Sequence, residues 1–432
     1  MLRNYLKIAF RNLLKHQGYS FINIFGLAIG MGVATLIGLW IHDELSYNKY
    51  HPSYDRIAQV MQHNLYNGKK ESQVANPAVM SAEIRQQHGG DFKYVVQSSW
   101  TGGHILGVGD KRLVKEGNYF EPEVTEMLGL KMRYGTRGGL KDPYSILLSQ
   151  SVAEAFFGKG DPLGKTMRLD NKHDLKVTGV YEDLPYNTTF NGVTYMLPWK
   201  LYLISNPWVE KMKDPWGSNF SQTYAQLAEN ADMEKVSAKI KNVKLNRVDK
   251  DEARYKPEVF LHPMSRWHLY SDFKNGFNTG GRIQFVWLFG LIGVFVLLLA
   301  CINFMNLATA RSEKRAKEVG VRKAMGSLRG QLIKQFFMES LLVVFLAFAV
   351  SLVLVILSLP YFNQVADKKT AIPWGSPVFW GLGIAFSLIT GLLQGMAVFL
   401  SATSLKYGKL RITSASATPK ARKTTRMDSM KN

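Results

Sequence analysis

Cysteine is almost missing from this chain of 432 residues: Cys301 stands alone. A single thiol excludes an intrachain disulfide framework, so any globular part must hold together by its apolar core. Acidic residues are scarce in three places. Residues 1–20 carry Arg3, Lys7, Arg11 and Lys15 with no acid, the stretch 306–335 has a balance of +6, and the residues after 400 have +7. Those three pieces hold 17 of the 21 formal positive charges. No complete phosphate-binding loop is present either. Gly164-Lys165-Thr166 has the right ending, but Lys159 stands where the first glycine is needed for backbone N–H groups to wrap a phosphate. The chain is therefore expected to bind no nucleotide itself and to need no cofactor of its own. Histidines and acids form no standard metal spacing; His42, Asp43, Glu44 and His51 read as polar anchors at a membrane exit. No catalytic triad spacing stands out, and the expectation is a non-enzyme.

What the chain has is segregated apolar sequence. The mean hydropathy of −0.09 looks ordinary, yet 46% of residues are hydrophobic and they gather in four blocks. These run from Phe21 to Ile41, Phe285 to Phe304, Phe336 to Leu359 and Val378 to Leu400, with Glu339 as the one acid among them. Each is near the ~20 residues that a helix needs to cross a hydrocarbon layer. The first block is too long for a signal-peptide core, and no A-x-A-like site follows it, so it is expected to remain as an anchor.

The charge then gives orientation rather than a nucleic-acid partner. With four spans, the three basic pieces fall on one side, and the positive-inside rule assigns that side to the cytoplasm, with both termini. Residues 43–284 and the Pro360 to Pro377 loop are expected outside. The fold class read from this pattern is an α-helical integral membrane protein with four transmembrane helices and a large α+β extracytoplasmic domain between the first and second. Helical Ser81–His88 and alternating Leu175–Tyr181 give that domain its mixed character. Residues 1–20 read as an amphipathic cytoplasmic helix, since the four basic residues recur every fourth position opposite Leu2, Leu6, Ala9 and Leu13. Residues 405–432, rich in Ser, Thr, Lys and Arg, are predicted disordered.

Two motifs carry function. In the first span Gly26, Gly30, Ala34 and Gly38 leave one helical face nearly bare, so that another helix, of this chain or of a second protomer, can approach closely; Gly391 and Gly395 do the same in the fourth. In the 306–335 loop, Glu313 with Lys317 and Glu318 with Arg322 stand four apart, as helix-stabilising pairs do. Val319, Val321, Ala324 and Met325 supply a small apolar surface, bounded by Gly320 and Gly326, that suits a groove on a cytoplasmic partner. A solvated basic loop is the plain alternative.

The run Arg315-Ala-Lys-Glu-Val-Gly-Val-Arg-Lys-Ala-Met-Gly-Ser327 resembles the signature of MacB/FtsX-type ABC transporter permeases. Gln335–Ser340, Gly26–Gly30, Phe157-Gly158 with Asp161–Lys165, and His268–Ser271 agree with it, and the likeness covers residue 1 to about 400. The resemblance implies that residues 43–284 form a MacB-like periplasmic core domain and 285–404 an FtsX-like membrane domain. It also implies that Arg315, Lys317, Glu318, Val319, Gly320, Val321, Arg322, Ala324, Met325, Gly326 and Arg329 couple the chain to a separate cytoplasmic ABC ATPase that uses ATP. A homodimer or heterodimer of permeases in a bacterial inner membrane, working by export or by mechanical rearrangement of the external domain, is the matching assembly. The sequence departs from many relatives by lacking a proline-containing exit after Gly395 and a second copy of the whole unit, and so resembles a half-length member. A membrane sensor or scaffold that recruits a signalling partner is the alternative from another class.

Overall fold

The computed structural model describes residues 2–15, 17–310, 321, 325 and 329–415. The chain divides into two compact units, one made of residues 1–40 and 288–432, the other of residues 41–287.

The 41–287 unit is built on a sheet of twelve strands: β1 (Ile57–Tyr66), β2 (Lys69–Gln73), β3 (Phe92–Ser98), β4 (Gly102–Val108), β5 (Lys111–Phe120) and β6 (Met132–Gly135), followed by β7 (Ser145–Ser149), β8 (Thr166–Leu169), β9 (His173–Tyr181), β10 (Tyr195–Pro198), β11 (Gln222–Leu227) and β12 (Glu258–Pro263). Their order is β10-β7-β9-β8-β4-β5-β3-β11-β1-β12, with β2 on β1 and β6 on β9. Most pairs are antiparallel, whereas β7–β9 and β10–β5 are parallel. A short hairpin, β13 (Asp272–Lys274) and β14 (Phe277–Gly280), stands apart. With helices such as Met80–His88, Gln150–Phe157 and Met233–Ile240, this is the α+β domain that the sequence implied.

Successive side chains along a strand point to opposite faces, so a strand covered on both sides reads as an unbroken apolar run. Strand β7 does so: Ile146 and Leu148 belong to one buried cluster and Leu147 to another. In β10, Met196 packs with Leu147 while Tyr195 and Leu197 pack with Ile146. A third cluster, with Ala58, Val60 and Leu261, forms around β1 and β12, while Ile57 joins the cluster of Leu147. Strand β5 approaches β10 closely at Gly117, whose register partner is Tyr195. A Cβ at position 117 would collide with the Tyr195 carbonyl oxygen and ring, so glycine is what permits the pairing.

The other unit is helical. Among the described residues, four helices are long and apolar enough to span a membrane: Gln17–Leu45, Ile283–Leu307, Ile333–Ala366 and Pro377–Met396. Ahead of them lies the helix Leu2–Lys15, whose Ala9 is buried and whose Leu13 packs beside the cluster of Leu27, Phe304 and Val344, while Arg11 and Lys15 are exposed. Ser20 Oγ donates to the Leu13 carbonyl at 3.1 Å and holds the turn between it and the first span.

Two boundaries differ from the sequence reading. The third long helix does not stop at Pro360 but runs from Arg329 to Ala366. Proline breaks a helix in water because it removes a backbone donor, yet spanning helices accommodate it. The connection to the next helix is therefore 367–376, shorter than expected. The last helix likewise runs from Pro377 to Ala415, so residues 405–415 are helical rather than disordered. Leu405, Leu410 and Arg411 favour helix, and no proline intervenes before Pro419. The rest of the predicted tail, 416–432, lies outside the described residues.

Candidate functional site

The residues expected to contact a partner sit between the second and third spans. Of them Arg315, Lys317, Glu318, Val319, Gly320, Arg322, Ala324 and Gly326 lie outside the described residues. Val321 and Met325 are described and both expose their side chains, at 59% and 73%. The Met325 N–H donates to the Val321 carbonyl at 3.0 Å, a bond at helical spacing. Arg329 opens the helix Arg329–Ala366.

The small-residue face of the first span meets a helix of the same chain over part of its length. At Gly30 an added Cβ would run into Ala300 Cβ, and at Gly26 it would lie 3.4 Å from Asn303 Nδ2, so both face the second span. Ala34 is half-buried, and Gly38 has nothing within 4 Å of such a Cβ among the described residues. The four-residue repeat is thus not one continuous contact: toward that end it is Ile37, not Gly38, that meets the second span, at Gly293. In the fourth span Gly391 and Gly395 admit Leu341 and Phe337 of the third, each 2.6 Å from where a Cβ would stand.

The second notable region is where the first long helix enters the 41–287 unit. Asp43 and Glu44, read from sequence as exit anchors, are buried there, Glu44 at 1% exposure. Tyr186 donates its hydroxyl to Asp43 Oδ1 in a short hydrogen bond, and Glu44 Oε2 lies 2.7 Å from His268 Nε2. Arg282 Nη1 stands 3.9 Å from Glu44 Oε1. The His268 ring stacks flat on Tyr47 with centroids 3.7 Å apart.

One turn further, Asn48 takes a left-handed backbone conformation (φ 64°) that asparagine tolerates better than most residues. Its side chain accepts from the Thr189 N–H at 2.7 Å and donates to Thr189 Oγ1 at 3.0 Å. His51 is buried, which lowers its pKa and keeps the ring neutral. Its Nδ1–H then donates to the Leu128 carbonyl at 3.0 Å, leaving Nε2 to accept from the Thr188 hydroxyl at 2.9 Å. Asp43, Glu44 and His51 thus turn to different partners and fasten the end of the helix to the segment 186–189 and to His268. Sequence reasoning missed this role; the one available signal was the recurrence of His268–Ser271 in the family likeness.

The Gly158–Thr166 stretch is occupied in folding. Gly164 N–H donates to the Val177 carbonyl, Lys165 N–H to the Pro162 carbonyl, and Lys165 Nζ lies 5.1 Å over the Phe157 ring. Those N–H groups are not gathered to cradle a phosphate.

The comparisons with known proteins agree with this architecture. The MacB-like periplasmic core domain matches residues 20–243, and the FtsX-like permease C-terminal domain matches residues 290–408. The chain belongs to the MacB/FtsX-type family of ABC transporter permeases and is a multi-pass membrane protein. Among its relatives is a permease of Bacillus subtilis strain 168 called YknZ, described as an uncharacterized ABC transporter permease. It is 24% identical over 257 residues, which span 58% of this chain and 57% of the relative. The macrolide export ATP-binding/permease protein MacB of Neisseria gonorrhoeae is 24% identical over 336 residues, 74% of this chain and 45% of that protein. The chain therefore spans about half the length of these curated relatives. The crystal structure of the periplasmic region of MacB from Actinobacillus actinomycetemcomitans covers 50% of this chain and 91% of its own, at 15% identity and a TM-score of 0.36.

Proposed function

We propose that this chain is the membrane-spanning subunit of an ABC complex, in which a separate cytoplasmic ATPase bears on residues 315–329 and drives export or a rearrangement of the external domain. The observation that carries this reading is the segment Arg315–Ser327, a basic, glycine-bounded signature placed between two spans in a chain that lacks a complete Walker loop. The excess of basic residues in that loop and at both ends supports a cytoplasmic position for all three. Burial of Glu44 against His268 supports the transmission half of the reading, since pulling a buried carboxyl away from its hydrogen-bond partner leaves it unsatisfied and is therefore resisted. A displacement of the first span would then reach the sheet rather than dissipate in a loop. Two permease protomers with two ATPase subunits is the assembly that fits a helical unit of four spans.

The test is stimulation of the partner ATPase by the reconstituted permease. Glu318→Lys combined with Gly320→Pro is expected to bring the rate down to that of the ATPase alone while membrane insertion is unaffected, because the charge reversal removes the pairing with Arg322 that its spacing predicts and proline disfavours the helix expected from the sequence there. Stimulation equal to that of the unaltered chain contradicts the coupling role.

A further inference from the structure

The 41–287 unit contains a cavity of about 550 Å³, a size that suits a small organic ligand. Three carboxamides from three strands line it: Gln59 of β1, Asn118 of β5 and Gln222 of β11. Each carboxamide both donates and accepts. The Tyr224 hydroxyl donates to Gln222 Oε1 at 3.0 Å, which fixes how that amide is presented. Asn118 is 2% exposed; its Nδ2 donates to the Ser99 carbonyl at 3.1 Å, while its Oδ1 is buried with no hydrogen-bond partner. Asn118 therefore frames the wall, and the half-buried Gln59 and Gln222 are the amides that a ligand can reach. Aromatic surface accompanies the amides: Trp100, half exposed, stands with Trp267, Phe190 and Tyr224 around the same space.

We infer that this cavity is a saccharide site for one or two pyranose rings. A pyranose offers an apolar C–H face to an indole and a rim of hydroxyls that both donate and accept, which is the pairing this wall presents. The other small-ligand chemistries fit less well. A lipid chain would cover the amides of Gln59 and Gln222 without offering either a hydrogen bond, at a desolvation cost. An organic cation finds no carboxylate among the lining residues, which include Arg282 instead. An extended peptide adds to a free strand edge, but Gln59 is already in register with Tyr224 on one side and His262 on the other. The site lies wholly within the 41–287 unit and goes beyond the proposed ATPase coupling; it stands or falls independently of that role.

The test is calorimetric titration of the full-length chain with N,N′-diacetylchitobiose, in lipid nanodiscs rather than maltoside detergent, whose rings would compete. Saturable binding is expected, weakened about tenfold by Trp100→Ala, since loss of the stacking face is worth roughly 1.4 kcal/mol at that factor. Trp100→Leu, which keeps apolar bulk without the ring, is expected to weaken binding similarly, and a thermal melt of each variant checks folding. Absence of saturable binding up to about 10 mM, or unchanged affinity in folded Trp100→Leu, overturns the assignment. Displacement of the sugar by decanoate at equal concentration also overturns it, in favour of a lipid site.

Discussion

The two units of this chain solve opposite packing problems with nearly the same residue alphabet. In the 41–287 unit the large side chains go inside: Phe120, Tyr181, Tyr195 and Met127 are fully buried, and glycine appears where strands must approach. In the helical unit a small core of Leu27, Phe304 and Val344 is buried, but many large side chains stay outside. Phe295, Leu298, Leu299 and Ile302 are all exposed, while Ala28, Ala347 and Ser351 are buried and Gly30 meets Ala300. Water drives apolar area inward, whereas lipid tails are as apolar as leucine and give helices no such push. Close approach of backbones is then what holds helices together, and small residues permit it.

That contrast is easiest to break at its two extremes. Phe120→Ala empties a site shared by Val96, Leu147 and Met196 and is expected to destabilise the sheet unit by about 3–5 kcal/mol. Leu298→Ala removes a comparable apolar group from an outward face and is expected to change stability by less than about 0.5 kcal/mol. Thermal unfolding in nanodiscs measures both; equal losses would show that the exposed face of the second span is covered by protein rather than lipid.

A smaller effect sharpens the helical side. Gly30→Leu forces a side chain into Ala300 and is expected to cost about 1–3 kcal/mol, while Gly38→Leu, with no neighbour within 4 Å among the described residues, is expected to be near neutral. The comparison is made by melting temperature in the same bilayer. A large loss at Gly38 with none at Gly30 would mean that the bare face serves a second protomer and not the second span.

Much of this architecture was legible in the sequence because the signals were local. Four apolar blocks and a strand at Leu175–Tyr181 each declare themselves within twenty or so residues. What escaped was long-range or dependent on solvent. Glu44 and His268 are 224 residues apart, so nothing nearby announces their pairing, and Glu44 reads as one more polar residue at a membrane exit. Pro360 ends a helix by the rules for water but not inside a long span, and the helical run to Ala415 was masked by its basic composition. The cavity is equally hidden: Gln59, Trp100, Asn118, Gln222 and Trp267 come together only when β1, β5 and β11 take their places in the sheet.

The account depends above all on which side of the membrane residues 315–329 occupy. Ser327→Cys, placed in a chain with Cys301→Ser, allows labelling of intact cells with a membrane-impermeant maleimide. The account predicts no reaction until the cells are opened; labelling of position 327 from outside would contradict it.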